Sequence, residues 1–300
     1  MYDLIIVGGG PAGLTAAIYA IRKRLNVLVL SKDLGGKTNY RLALPWIEDY
    51  QVIKGLEIVN KFRTELEYLD FAWEHEQVTR VSAQEDFFVV HTQTGEELQA
   101  RAVIIATGAC PQRLEIPGEE EFLGKGIAYS AMSYAPLMIA KTVAVIGQGE
   151  LALRSAAELA TVAKHVYLVG PEEAILDSTL GQKLRYTTHV QLFEGFLLQQ
   201  VLGNDFAERI QISHGVETKE LAVDCIFIEK QLIPNSEMVR GLLPLDEQDR
   251  IKIDCRTHTS IPGIYAAGDV TSLYAEQVLI AVGEGAKAAL SAYDYLLPKL

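Results

Sequence analysis

The chain has 300 residues, 49% hydrophobic and 22% charged, enough apolar material for two domains with cores and no sign of disorder. A formal charge of −12 and a pI near 5.0 argue against nucleic acid or an anionic membrane as a bulk partner. Cys110, Cys225 and Cys255 form no metal or redox spacing, so reduced cytoplasmic thiols and no metal site are expected. No apolar run reaches the ~18 residues of a membrane span, and a strand directly after Met1 predicts no leader peptide.

The first predicted strand, Asp3 to Val7, enters Gly8-Gly9-Gly10-Pro11-Ala12-Gly13 and then a helix. Gly8 permits the tight turn and Gly10 lets a pyrophosphate approach the backbone. Gly13 lets the helix pack on the strand, leaving the helix N-terminus aimed at phosphate. A strand from Val27 to Leu30 follows, then Ser31 and a Gly35-Gly36 turn. A buried-strand run from Ala102 ends in Ala106-Thr107-Gly108.

A second copy of the opening unit starts at Val143. Its loop is Gly147-Gln148-Gly149-Glu150-Leu151-Ala152 and its next strand Val166 to Val169, each position 139 residues after its partner. Ile261 to Val270 form a further strand and turn containing Gly268-Asp269, and the tail runs from Gln277 to Leu296. The repeat predicts an α/β chain of two Rossmann-like, doubly wound, three-layer nucleotide-binding domains, the second inserted in the first.

These motifs resemble thioredoxin reductases and the reductase component of alkyl hydroperoxide reductase, over nearly the whole chain. The Gly283-Glu284-Gly285-Ala286-Lys287 core of the tail is especially similar to the latter. The resemblance implies an FAD-dependent disulfide oxidoreductase, cytoplasmic and homodimeric. The FAD domain would be residues 1–112 plus 246–300, with an inserted NAD(P)-type domain at 113–245. Linkers with Pro and Gly, Pro111 to Gly118 and Gly241 to Asp246, would join them.

The resemblance also assigns roles. Gly8, Gly10, Pro11, Ala12 and Gly13 would cradle the FAD pyrophosphate, and Gly35 and Gly36 would pass the flavin. Ser31 stands where an acid often holds the adenosine ribose, and the backbone of Val78 would meet adenine. Ala106, Thr107 and Gly108 would close the site. Asp269, after Gly268, would accept from the ribityl chain, and the backbone of Gln277 and Val278 would face the isoalloxazine ring. Trp46 stands where relatives carry an Asn close to the flavin.

The inserted domain departs from the family pattern at four places. Ser130-Ala131-Met132-Ser133 occupies the position of the redox Cys-x-x-Cys. A serine hydroxyl forms no disulfide and is not a thiolate at neutral pH, so Ser130 and Ser133 are inert, whether the loss is natural or engineered. Glu172 and Glu173 stand where relatives carry arginines for a ribose 2′-phosphate and would repel it. Leu153-Arg154-Ser155 replaces acidic side chains after the glycine loop. Glu229-Lys230-Gln231 replaces Ala-Ile-Gly before Pro234-Asn235.

Together these departures predict that NADPH is not the donor. Gly147, Gly149, Glu150, Leu151 and Ala152 remain a loop that could hold another dinucleotide. The resemblance offers two donors: ferredoxin, with a thioredoxin-like acceptor, or a second FAD in the inserted domain. A non-catalytic flavin sensor and an NADH-using flavin reductase are the alternatives. Tyr129 and Tyr134, beside the serines, either stack near the flavin or simply pack.

Overall fold

The computed structural model describes residues 1–47, 55–69, 72–272 and 275–300. Two compact units emerge: unit 1 is Met1–Asn39, Ile53–Cys110 and Ile233–Leu300, and unit 2 is Tyr40–Val52 and Pro111–Leu232.

In unit 1, Leu4, Ile5, Ile6 and Val7 of β1 (Tyr2–Val7) are all buried, as a strand covered on both faces requires. β1 pairs in parallel with β2 (Val27–Ser31) and β6 (Glu97–Ile105). β3 (Trp73–His75) continues the sheet beyond β2, and β17 (Ile264–Ala266) joins β6 in parallel. β4 (Val78–Ala83) and β5 (Phe88–Thr92) add an antiparallel edge, completing seven strands.

Three helices cover this sheet: α1 (Pro11–Arg22), α2 (Leu56–Tyr68) and α8 (Val278–Leu296). Ala281, Gly285, Ala288, Ala289, Ala292 and Leu296 of α8 are buried, three and four residues apart on one helical stripe. They meet Ala12, Ala16, Ala17 and Ala20 of α1 in the same core. The approach is so close that a Cβ on Gly285 would overlap the Ala12 carbonyl.

β7 (Ala109–Pro111) and β16 (Leu232–Pro234) carry the chain across the unit boundary. Unit 2 holds a parallel sheet in the order β11-β10-β9-β15-β8. Its strands are β8 (Ile127–Ala128), β9 (Thr142–Ile146), β10 (His165–Val169), β11 (Val190–Phe193) and β15 (Cys225–Ile228). Around it lie α3 (Glu119–Phe122), α4 (Ala131–Tyr134), α5 (Glu150–Leu159), α6 (Glu173–Leu176) and α7 (Thr179–Arg185). An antiparallel sheet of β12 (Leu197–Gly203), β13 (Ala207–His214) and β14 (Glu217–Ala222) completes the unit.

The internal repeat is preserved in three dimensions. Leu4 pairs with Val27 and Val7 with Leu30; Val143 pairs with Val166 and Ile146 with Val169. The register is identical in both copies.

The unit boundaries differ from the linker positions expected from composition. Unit 1 resumes at Ile233 rather than 246, because Val239 and Leu243 are buried with Val78, Val81 and Ile251. Gly241, with φ +79, makes a turn inside that unit. Leu42 and Leu44 pack with Ala128, Tyr134 and Val143, which draws the segment from Tyr40 into unit 2. Among the described residues no helix is long and apolar enough to cross a membrane. Nor does any described group of three or more His, Cys, Asp or Glu stand ready to hold a metal.

Candidate functional site

The glycine loop of unit 1 is built as its residue types demand. Gly8 adopts φ +112, and a Cβ there would overlap the Ala106 carbonyl. A Cβ on Gly13 would overlap the Gly8 carbonyl, so only glycine lets α1 turn this sharply off β1. Gly10 faces open space, with nothing within 4 Å of its Cβ direction. α1 has Pro11 in its first turn, no side-chain cap and no acid there, so its first amides and positive dipole end are available to an anion. This is a cradle that fits the diphosphate of a dinucleotide.

The next elements brace the loop. Gly9 N donates to Ser31 Oγ at 2.8 Å, and Ser31 Oγ donates to the Asp33 carbonyl at 2.6 Å. Ser31 therefore spends its hydroxyl inside the loop. Gly35 N donates to the Gly9 carbonyl at 2.7 Å, and Gly36 N to Asp33 Oδ1 at 2.9 Å. The Gly35-Gly36 turn thus rests directly on the glycine loop. Val78 opens β4 opposite Thr92 and shares a core with Val7 and Leu30.

Asp269 comes from the other side of α1. A Cβ on Gly268, φ +77, would stand 3.1 Å from Ala12 Cβ. Gly268 N donates to Glu284 Oε2 at 3.4 Å, and Glu284, buried on α8, pairs with Lys287 Nζ at 3.4 Å. The Gly-Glu-Gly-Ala-Lys core of the tail therefore has a structural role: it holds the Gly268-Asp269 turn against α1. Lys37 Nζ lies 2.6 Å from Asp269 Oδ2. Gln277 caps α8 in extended conformation and Val278 begins it. Thr107 and Gly108 form the turn after β6, where Asn235 Nδ2 donates to the Thr107 carbonyl at 2.9 Å.

Trp46 belongs to unit 2. Its indole N–H donates to the Leu137 carbonyl at 3.3 Å, and Lys141 Nζ sits 3.9 Å from its ring centroid. Those partners satisfy the indole and stack a cation on its face.

In unit 2, Ser130 caps α4: Ser133 N donates to Ser130 Oγ at 3.4 Å, and the two hydroxyl oxygens lie 3.0 Å apart. Below them Glu229, 4% exposed, accepts from Ala131 N at 2.6 Å. The backbone of Glu229 also presses on the second loop, where its carbonyl would overlap a Cβ on Gly147. Glu229 thus touches both the serine turn and the nucleotide-type loop, a role hidden in the sequence. Glu119 is likewise buried, accepting from Leu114 N, Glu115 N and Tyr129 Oη. Burial pushes the Tyr129 phenol up, with Glu119 adding to it, and Tyr134 Oη donates to the Tyr40 carbonyl at 3.3 Å. Both tyrosines have protein partners within unit 2.

The second loop repeats the first in outline but not in every residue. Gly149 again faces open space and α5 again lacks a side-chain cap, but Glu150 occupies its first turn. Arg154 pairs with Glu150 at 2.7 Å. Ala152 is buried where the first loop has Gly13, and Leu151 is exposed. Glu172 N donates to the Gln148 carbonyl at 3.2 Å, which fixes an acidic residue against the loop at the end of β10. A carboxylate there suits a ribose hydroxyl and repels a 2′-phosphate.

The profile of the pyridine nucleotide-disulphide oxidoreductases matches residues 2–285. The chain belongs to that family. Within it, the alkyl hydroperoxide reductase F subunit of Pseudomonas putida is 35% identical over 303 residues, which cover 99% of this chain and 58% of the relative. Its Staphylococcus aureus counterpart matches at 35% over 99% and 59%, so the chain spans just under three fifths of these curated relatives. A thioredoxin reductase from Streptococcus pyogenes has a similar structure, with TM-score 0.88 and 31% identity over 99% of both chains. A ferredoxin-flavin thioredoxin reductase from Clostridium acetobutylicum matches at TM-score 0.51 and 30% identity, over 99% of this chain and 98% of that one. The α/β reading with doubly wound parallel sheets is correct.

Proposed function

We propose that this chain is an FAD-dependent oxidoreductase of the thioredoxin reductase type whose electrons do not come from NADPH. The observation that carries the FAD reading is the open, uncapped start of α1, braced by Gly35-Gly36 and flanked by Asp269. FAD, when bound, supplies the electron-transfer chemistry that side chains lack. The chain's residues would hold it: the α1 amides would take the diphosphate and Asp269 would accept from the ribityl chain.

Unit 2 supports the reading of the donor. Glu150 in the first turn of α5 and Glu172 against Gln148 make an environment hostile to the extra phosphate of NADPH. Ferredoxin or a second flavin held by unit 2 is the donor. The match to a ferredoxin-flavin thioredoxin reductase supports the first, and the retained Gly147 and Gly149 loop the second. Ser130 and Ser133 provide no dithiol, so a thioredoxin-like acceptor meets no disulfide relay at this position.

The test is an anaerobic titration of the purified protein followed by flavin absorbance. The flavin is expected to stay oxidised with NADPH and with NADH, and to bleach with dithionite or reduced ferredoxin. Stoichiometric bleaching by either pyridine nucleotide overturns the donor reading. A protein that neither carries nor binds FAD overturns the whole proposal.

A further inference from the structure

The Lys37–Asp269 pair lies in unit 1, beside the cradle. Both partners are pinned by backbone. Lys37 follows Gly36, where a Cβ would stand 3.2 Å from Gly10 Cα, and the turn is tied to Gly9. Asp269 follows Gly268, which packs on Ala12 and is held by Glu284. The pair therefore joins the Gly36 turn, packed on Gly10, to the Gly268 turn, packed on Ala12. The Asp269 side chain is 15% exposed and that of Lys37 37%, so this is not a solvated surface pair.

A dinucleotide diphosphate carries negative charge, and Asp269 brings another within the same small site. A second carboxyl, Glu276, is held above its ordinary range by desolvation, with Lys37 opposing and Asp269 adding. Arg250 opposes that rise as well, but Lys37 is the cation paired with Asp269. At separations of roughly 7 Å and a protein-like dielectric, one uncancelled carboxylate weakens anion binding by about ten- to a hundredfold.

Resting on the FAD reading above, we propose that Lys37 is a positioning residue for the cofactor: its ammonium cancels the Asp269 charge so that an anionic dinucleotide can be received at α1. It acts through Asp269. The cofactor keeps its hydrogen-bond acceptor, because a carboxylate can accept from the ammonium and a hydroxyl together.

The experiment is FAD titration of the flavin-stripped full chain, read by quenching of FAD fluorescence. It compares wild type with Lys37→Gln, Lys37→Arg, Asp269→Asn and the double variant Lys37→Gln/Asp269→Asn. Lys37→Gln is expected to weaken FAD ten- to a hundredfold while its apoprotein melts like wild type. Lys37→Arg, which keeps the charge, recovers most of the loss. In the Asp269→Asn background, Lys37→Gln changes affinity less than about threefold, since no charge is left to cancel. Equal affinity for wild type and Lys37→Gln overturns the inference, as does an Arg variant no better than Gln. A loss that persists undiminished beside Asp269→Asn also overturns it, assigning Lys37 to direct phosphate contact instead. If the wild type binds FAD and only these comparisons fail, the Lys37 inference falls alone. If the wild type binds none, the cofactor reading falls with it.

Discussion

Thr107 and Asn235, separated by 128 positions, hold each other by two hydrogen bonds. The Thr107 hydroxyl donates to the Asn235 carbonyl at 2.5 Å and the Asn235 amide to the Thr107 carbonyl at 2.9 Å. Asn235 N adds a third, to the Gly108 carbonyl at 2.9 Å. The turn beside the Gly8 loop is thereby fastened to the segment that returns after unit 2. Asn235→Ala is expected to cost about 1–3 kcal/mol, because it strips the half-buried Thr107 carbonyl of its side-chain donor. Thr107→Val should cost less when introduced beside it than alone. Urea unfolding of the apoprotein measures both, and strict additivity would show that the two residues do not act as one lock.

The serine pair is placed as a dithiol would be. With hydroxyl oxygens 3.0 Å apart, the double variant Ser130→Cys/Ser133→Cys should form a disulfide on mild oxidation. The wild type has three cysteines and the variant two more. In denaturant, the oxidised variant should show the wild-type thiol count and the reduced variant two extra. Two extra thiols persisting after oxidation would show that the turn no longer fits a bridge.

Glu229 ties that turn to the end of β15 through Ala131 N. Glu229→Ala strips a buried N–H of its acceptor, at about 1–3 kcal/mol. Glu229→Gln keeps an acceptor oxygen and should cost distinctly less. Chemical denaturation distinguishes them; equal losses would assign the cost to charge rather than to the hydrogen bond.

The three thiols should react unequally. Burial pushes the Cys225 thiol up, so it stays protonated and shielded across the physiological range, whereas Cys110 and Cys255 are exposed. Ellman's reagent should titrate two thiols in the native protein and three in guanidinium. Raising the pH from 7 to 9 should leave Cys225 silent. Rapid native labelling of Cys225 would mean that the unit 2 sheet opens readily.

The parts legible in the sequence were those where geometry leaves one residue type a choice. Gly8 and Gly13 sit where any side chain would strike backbone, so the loop and its repeat announced two nucleotide-type units. Lys37 and Glu229 were not legible, because each owes its place to a partner distant in sequence: Asp269 and Ala131 in turn. Nothing local marks such a pairing. A hint existed for Lys37, which directly follows the glycine turn, and for Glu229, which puts a charge at the end of an apolar strand. Gly241 shows why composition alone does not place a unit limit: it punctuates a turn within a unit as readily as a linker.

The packing of Gly285 of α8 on Ala12 of α1 sets a timetable for synthesis. Pro111–Leu232, with the short earlier stretch from Tyr40, leaves the ribosome as a nearly self-contained set of strands and can collapse at once. β1 and α1, made before unit 2, must wait for α8, made after it, before their alanine face is covered. The glycine loop of unit 1 is therefore translated before unit 2 and sealed only after it. A chain arrested before α8 would present a folded unit 2 beside an unsealed, aggregation-prone α1.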